Sequence, residues 1–230
     1  MRRRTLLATG LALALLAGAA CSDDEEPPPS ADRRSTTTSA STTTSSTTST
    51  TAPVEDGYRK ARPDPDLPRQ DIDINLRYPA SFTPEQVEVV QAWANYRHVF
   101  YASADPPDPA NPALAKFQTA QVLEVNKTQL ADLRSRGIAA RIEGFGSLRE
   151  TVTKVELEDD SARLTSCQVD GVAQVRVADD VVVNDDVVTK QSMITLSRNP
   201  RSGEWQVSPP PAENLGRWDG DSEERCAGTG

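Results

Sequence analysis

The chain has 230 residues, 37% hydrophobic and 5% aromatic, with 17 Pro, 12 Gly and a formal charge of -9; this leaves room for one domain of ordinary size beside a stretch too poor in apolar side chains to build a core. The acidic balance excludes a nucleic-acid binder, which needs clustered basic residues to displace phosphate counterions. One His and three Cys leave little material for a transition-metal site or a Cys/His nucleophile pair, and no cofactor is expected.

Arg2-Arg3-Arg4, an apolar stretch from Leu6 to Ala17 and the small residues Gly18-Ala19-Ala20 form a secretory signal over residues 1–20, too short for a stable membrane span. Cys21 follows at once, so the segment resembles a bacterial lipoprotein signal, in which the first mature residue is a lipid-bearing Cys. The usual Leu three places before the Cys is here Gly18, and ordinary cleavage after Ala20 would also suit the small residues. Removing the leader with Arg2, Arg3 and Arg4 takes the 25 basic residues to 22 against 34 acidic ones, a mature charge of -12. The expected location is the outer face of the cytoplasmic membrane, with the lipid on Cys21 as the membrane partner.

Residues 21–82 read as a disordered linker. Asp23-Asp24-Glu25-Glu26 and Pro27-Pro28-Pro29 lead into 17 residues, Ser35 to Thr51, all Ser or Thr except Ala40; such a segment has nothing to bury and suits an O-glycosylated stalk. Pro63, Pro65, Pro68 and Pro79 prolong the irregular run, and a flexible coil of about sixty residues averages about 40–50 Å end to end. The excess of Arg over Lys, the abundance of Ala, Asp and Val, and the Thr-rich spacer suit a high-GC actinobacterium.

The expected domain spans 83–208. Thr83-Pro84-Glu85-Gln86 combines an N-cap, a Pro at the first helical position and a Gln three residues on. Val89, Trp93, Tyr96 and Phe100 then recur at helical spacing, and the helix should stop near Ala102 or Ser103, before Asp105-Pro106-Pro107. Asn111-Pro112 restarts helix, which Leu114, Phe117, Val122, Leu130 and Leu133 carry to a stop at Gly137, as one bent helix or two short ones. Beyond Gly137, Val- and Thr-rich alternation predicts strands at 138–143, 150–158, 162–170, 187–198 and 205–208, with less regular strand material over 172–183. The turns fall at Glu158-Asp159-Asp160, Asp170-Gly171, Asn184-Asp185-Asp186 and Asn199 to Gly203. Helices first and strands afterwards make an α+β fold, with N-terminal helices packed on a curved antiparallel sheet; another small α+β domain or an open β-sandwich with an N-terminal helix is the alternative.

The order of a long aromatic helix, a shorter helical pair, then Thr153-Lys154-Val155-Glu156-Leu157, Cys167-Gln168-Val169-Asp170-Gly171, Val188-Thr189-Lys190, Ile194-Thr195-Leu196 and Trp205-Gln206-Val207 resembles the nuclear-transport-factor-2-like cone. The likeness is to its exported lipoprotein versions in actinobacteria. It implies a pocket between the long helix and the sheet, where relatives such as ketosteroid isomerases and polyketide cyclases place a carboxylate base. No acid on the predicted strands stands out as that base.

Trp93, Tyr96, Phe100 and Tyr101 are candidates to line such a pocket, although a stripe at helical spacing is more often core. His98, the single His, reads as a packed or surface residue rather than an acid or base. Gly144-Phe145-Gly146-Ser147 lacks the third glycine of a phosphate loop and reads as a turn. Asp179-Asp180, Asn184-Asp185-Asp186 and Asp219 to Glu223 lack the spacing of a calcium loop, and the sequon Asn126-Lys127-Thr128 falls in a predicted helix. There is no Gly-x-Ser-x-Gly, His-Glu-x-x-His or Cys-x-x-Cys.

Export places Cys167 and Cys226 in an oxidising space, and lipidation of Cys21 leaves an even number, so the two should pair and tie the tail, 209–230, to the sheet; two separate thiols are the alternative. The expectation is a noncatalytic envelope lipoprotein binding a partner protein or an apolar small ligand. A divergent isomerase- or cyclase-like enzyme with a pocket carboxylate is the other reading.

Overall fold

Helix α1, Pro84–Ala102, starts as its first residues dictate. Thr83 Oγ1 accepts from the Gln86 backbone N–H, Gln86 Oε1 accepts from the Thr83 N–H, and Pro84 occupies the first turn, so two donors at the helix start are satisfied reciprocally and Pro84 has none to satisfy. The chain is described by a computed structural model at residues 54–142 and 148–227, within a unit spanning 49–230. The leader, Cys21, the Ser/Thr run and the Gly144 to Ser147 turn lie outside the described residues.

The domain begins well before the boundary at 83 that the sequence suggested. Strands β1, Val54–Glu55, and β2, Tyr58–Lys60, form a hairpin, with Asp56 at φ 49° and Gly57 at φ 79° supplying the left-handed pair that a two-residue turn requires. Strand β3, Asn75–Pro79, pairs with β2. Ala61, Ile72, Ile74, Leu76 and Tyr78 are buried in the main core, so residues 54–82 are structural rather than linker. The prolines that suggested a spacer sit around a strand whose apolar residues alternate from Ile72 to Tyr78.

After α1 a short 3-10 helix, Pro112–Lys116, capped by Asn111, precedes α2, Ala120–Arg136. The helical pair is thus two separate elements, and α2 ends at Gly137 in the left-handed conformation, φ 66°. The strands follow: β4, Ile138–Arg141; β5, Leu148–Glu158; β6, Ser161–Asp170; β7, Ala173–Arg176; β8, Val181–Asn184; β9, Val188–Arg198; and β10, Trp205–Asp219. A seven-stranded sheet has the order β1-β2-β3-β5-β6-β9-β10, and a three-stranded sheet the order β4-β7-β8. All pairs are antiparallel except β3 with β5.

The fold is therefore α+β, with few helices and a sheet of many strands. Val89, Val90, Trp93 and Ala94 of α1 join Leu148, Val152, Leu164, Ile194, Leu196 and Val207 of the large sheet in one core. A second cluster lies around α2, with Leu67, Val99, Leu114, Phe117, Leu130 and Leu133.

The segment beyond Ser208 also departs from expectation. Strand β10 continues to Asp219, and its register against β9 shifts between Ser208 and Glu213. Being at the sheet's edge, β10 tolerates Pro209, Pro210 and Pro211, which would break a central strand. Helix α3, Glu223–Ala227, then lies against β6 through a disulfide between Cys167 and Cys226, both buried.

Candidate functional site

Directly opposed residues in neighbouring antiparallel strands share a face. Glu150 on β5 stands opposite Gln168 on β6, which stands opposite Lys190 on β9. This polar row lies on the face bearing Leu148, Val152, Leu164 and Ile194, against which α1 packs.

Glu150 is the focus of the row, its side chain fully buried. Trp93 donates its indole N–H to Glu150 Oε1 at 2.7 Å, and Arg97 Nε lies 3.5 Å from Glu150 Oε2. The Arg97 guanidinium also lies 5.4 Å from the Trp93 ring and 5.0 Å from the Tyr101 ring, one turn away in each direction along α1, so its charge faces two π clouds and a carboxylate. Burial alone would pull the Arg97 pKa down. The charges and potential charges of Tyr101, Glu150, Asp170 and Tyr96 outweigh burial and hold it above the ordinary arginine value. Burial pushes the Tyr101 hydroxyl above its usual range, only partly opposed by Arg97. Asp170, at the end of β6, pairs with Lys190 at 2.7 Å.

Several buried atoms of this interior have no hydrogen-bond partner among the described residues: Arg97 Nε and Nη2, Glu150 Oε2 and Ser166 Oγ. Ser166 is two residues from Gln168 on the same strand face. The arrangement can hold a negative charge against a positive one in a water-poor setting. Oε1 of Glu150 is taken up by the Trp93 indole, and Oε2 faces Arg97.

Trp93 and Tyr101 are buried in the core, while Tyr96 and Phe100 are half-buried against it. The rings form a ladder: Trp93 to Tyr96 at 5.2 Å, Tyr96 to Phe100 at 6.4 Å, and Phe100 edge-on to Tyr101 at 5.4 Å. Tyr101 also borders a cavity of about 170 Å³, together with Arg69, Ile72, Asp105, Arg141 and Ile142. There Arg141 bonds to Asp105 at 2.8 Å and to Asp180 at 3.0 Å, and these two bonds hold its guanidinium above the usual arginine range.

His98 is fully buried, with Nε2 2.7 Å from the Pro68 carbonyl, a packing role. Asn126 is buried and donates to Tyr96 Oη at 3.0 Å and Gln118 Oε1 at 2.5 Å, which removes the sequon from the surface. Asp179 pairs with Arg176, and Asp221 with Arg149. No group of three or more His, Cys, Asp or Glu able to hold a metal occurs among the described residues.

The sequence reading missed Glu150 and Arg97. Arg97 had a visible signal, a charge four residues from both Trp93 and Tyr101 on the apolar face of a helix. Glu150 had none, because β5 carries a register shift between Val152 and Lys154 that breaks simple alternation.

No family model and no curated protein matches the sequence. Among solved structures the chain is similar to a ketosteroid isomerase-like protein from Erwinia carotovora atroseptica, 13% identical, with a TM-score of 0.39 over 59% of this chain and 99% of that one. It is also similar to the intermembrane space region of the chloroplast protein ARC6, 9% identical, with a TM-score of 0.35 over 58% and 97%.

Proposed function

We propose that the chain is a noncatalytic envelope lipoprotein, exported by residues 1–20 and anchored through lipid on Cys21, whose domain binds a partner protein or an apolar small ligand. The observation that carries the noncatalytic reading is the tie between Glu150 and α1. Among the described residues the buried acid that could act as a pocket base, Glu150, is held by Trp93 at 2.7 Å and faces Arg97 at 3.5 Å, and leaving one charge of a buried pair without its partner costs about 3–5 kcal/mol. The leader, with Cys21 directly after Ala20, supports export and anchoring.

The unpartnered Arg97 Nη2, Glu150 Oε2 and Ser166 Oγ favour the second reading, an isomerase- or cyclase-like enzyme with Glu150 as base. Exchange of α-protons of a cyclic ketone in deuterated buffer separates the two. The binding reading expects the buffer rate with the full chain; exchange above that rate, lost in Glu150→Gln, overturns it.

A further inference from the structure

Strand β8 is an edge of the three-stranded sheet, and its four residues, Val181-Val182-Val183-Asn184, are all exposed. Its three valines and the nearby Val177 and Val187 are between 37% and 46% exposed. Edge strands present unpaired N–H and C=O groups, and proteins usually blunt them with Lys, Pro or a covering segment. Strand β8 has neither Lys nor Pro, and among the described residues its other neighbour is solvent. Acids bracket it: Asp179 and Asp180 before, Asp185 and Asp186 after. The first two are drawn into pairs with Arg176 and Arg141; among the described residues no ion pair involves Asp185 or Asp186.

This charge pattern selects the occupant. A second copy adding its own β8 antiparallel would set Asp185 and Asp186 of one chain against Asp179 and Asp180 of the other, acids already compensated by Arg176 and Arg141, and would bring no cation to Asp185 and Asp186. An anionic lipid surface would be repelled by these acids. An extended segment with alternating apolar residues and a Lys or Arg at the end that meets Asp185 and Asp186 satisfies the backbone row, the valines and these acids together. We infer that β8 is a docking edge onto which an extended, basic-ended segment of a partner protein adds as a further strand. This deepens the binding reading above and rests on it.

The test is photo-cross-linking in cells from a photoreactive residue replacing Val181 in the full chain, with the linked peptides mapped. The expected product is one extended segment of another protein with Lys or Arg at the end that meets Asp185 and Asp186. Its yield should drop about tenfold or more with Val183→Lys, and equally with Asp185→Lys plus Asp186→Lys, because each opposes a basic strand. All these positions are exposed, and unchanged thermal unfolding of the variants shows that the fold is intact. Linkage to a second copy, to lipid or to nothing overturns the proposal, as does a product indifferent to the substitutions. Repeating the experiment from Thr153, on the opposite face of the large sheet, separates the two failures: a partner linked from Thr153 alone overturns the β8 edge and leaves the binding reading standing, whereas no partner from either position overturns the β8 edge and leaves the binding reading only its small-ligand form.

Discussion

The indole N–H of Trp93 on α1 ends 2.7 Å from Glu150 Oε1 on β5, a bond across 57 positions of sequence. It fixes the helix over the polar row of the sheet and orients the carboxylate toward Arg97, so the long helix and the sheet are joined by a directional contact in the interior.

Removing one partner of that pair should be costly and removing both should not. We expect Glu150→Ala to lower unfolding free energy by about 3–5 kcal/mol, because Arg97 is left as an uncompensated buried charge, and Arg97→Met with Glu150→Leu to recover most of the loss. Urea unfolding of the two variants measures this. A single-variant cost below about 1 kcal/mol would show that the pair is not buried in solution.

The domain boundary is open to truncation. A chain starting at residue 53 should fold cooperatively, whereas one starting at Thr83 should not, since it lacks Ile72, Ile74, Leu76 and Tyr78 of the core. Burial of such side chains contributes about 1.5–3 kcal/mol each, against a total stability of about 5–15 kcal/mol. Circular dichroism during thermal unfolding distinguishes the outcomes, and a sharp transition for the shorter chain would contradict the assignment of 54–82 to the fold.

Cys167 and Cys226, separated by 59 residues, should resist alkylation until reduced, and reduction should add the mass of two hydrogens. Cys226→Ser should lower stability by up to about 4 kcal/mol, the chain-entropy value for a loop of this size. Alkylation of both thiols in the unreduced chain would refute the bridge.

Tyr96 and Tyr101 both sit above the ordinary tyrosine range, chiefly through burial. The folded state therefore holds their protons after the unfolded state has released them. Their contribution to stability is intact below about pH 10 and declines as pH rises through the folded values. Unfolding free energy measured between neutral and alkaline pH should fall along this course, and Tyr101→Phe should flatten the fall. Ultraviolet titration in which every tyrosine ionises at its ordinary value with the fold intact would contradict it.

Cys21→Ser should move the mature protein from the detergent phase to the aqueous phase in a temperature-induced partition, because a diacylated Cys supplies the two chains that stable anchoring needs. Aqueous partitioning of the unsubstituted protein would refute the anchor.

Sequence reading succeeded where local chemistry decides structure and failed where long-range pairing does. Thr83, Pro84 and Gln86 fix the start of α1 within one turn, and Gly137 fixes the end of α2. Strand β3 alternates plainly from Ile72 to Tyr78, but the neighbouring Pro63, Pro65, Pro68 and Pro79 suggest a spacer, and its parallel partner β5 lies more than seventy positions away. The continuation of β10 through Pro209 to Pro211 depends on its edge position, which is a property of the sheet order. The aromatic stripe of α1 could be read directly, whereas the face on which Glu150 stands depends on a bulge that leaves no mark in composition.

The order of the large sheet has a mechanical consequence. Its N-terminal strand, β1, lies at one margin and β10 at the other, so tension carried by the chain ahead of Val54 enters at the β1 margin. The β1–β2 hairpin meets that load before it reaches the parallel contact of β3 with β5. The strands covering Trp93 and Glu150, with the Cys167–Cys226 bridge behind them, lie beyond that contact. A pull on that chain would disturb β1 and β2 first, before the interior.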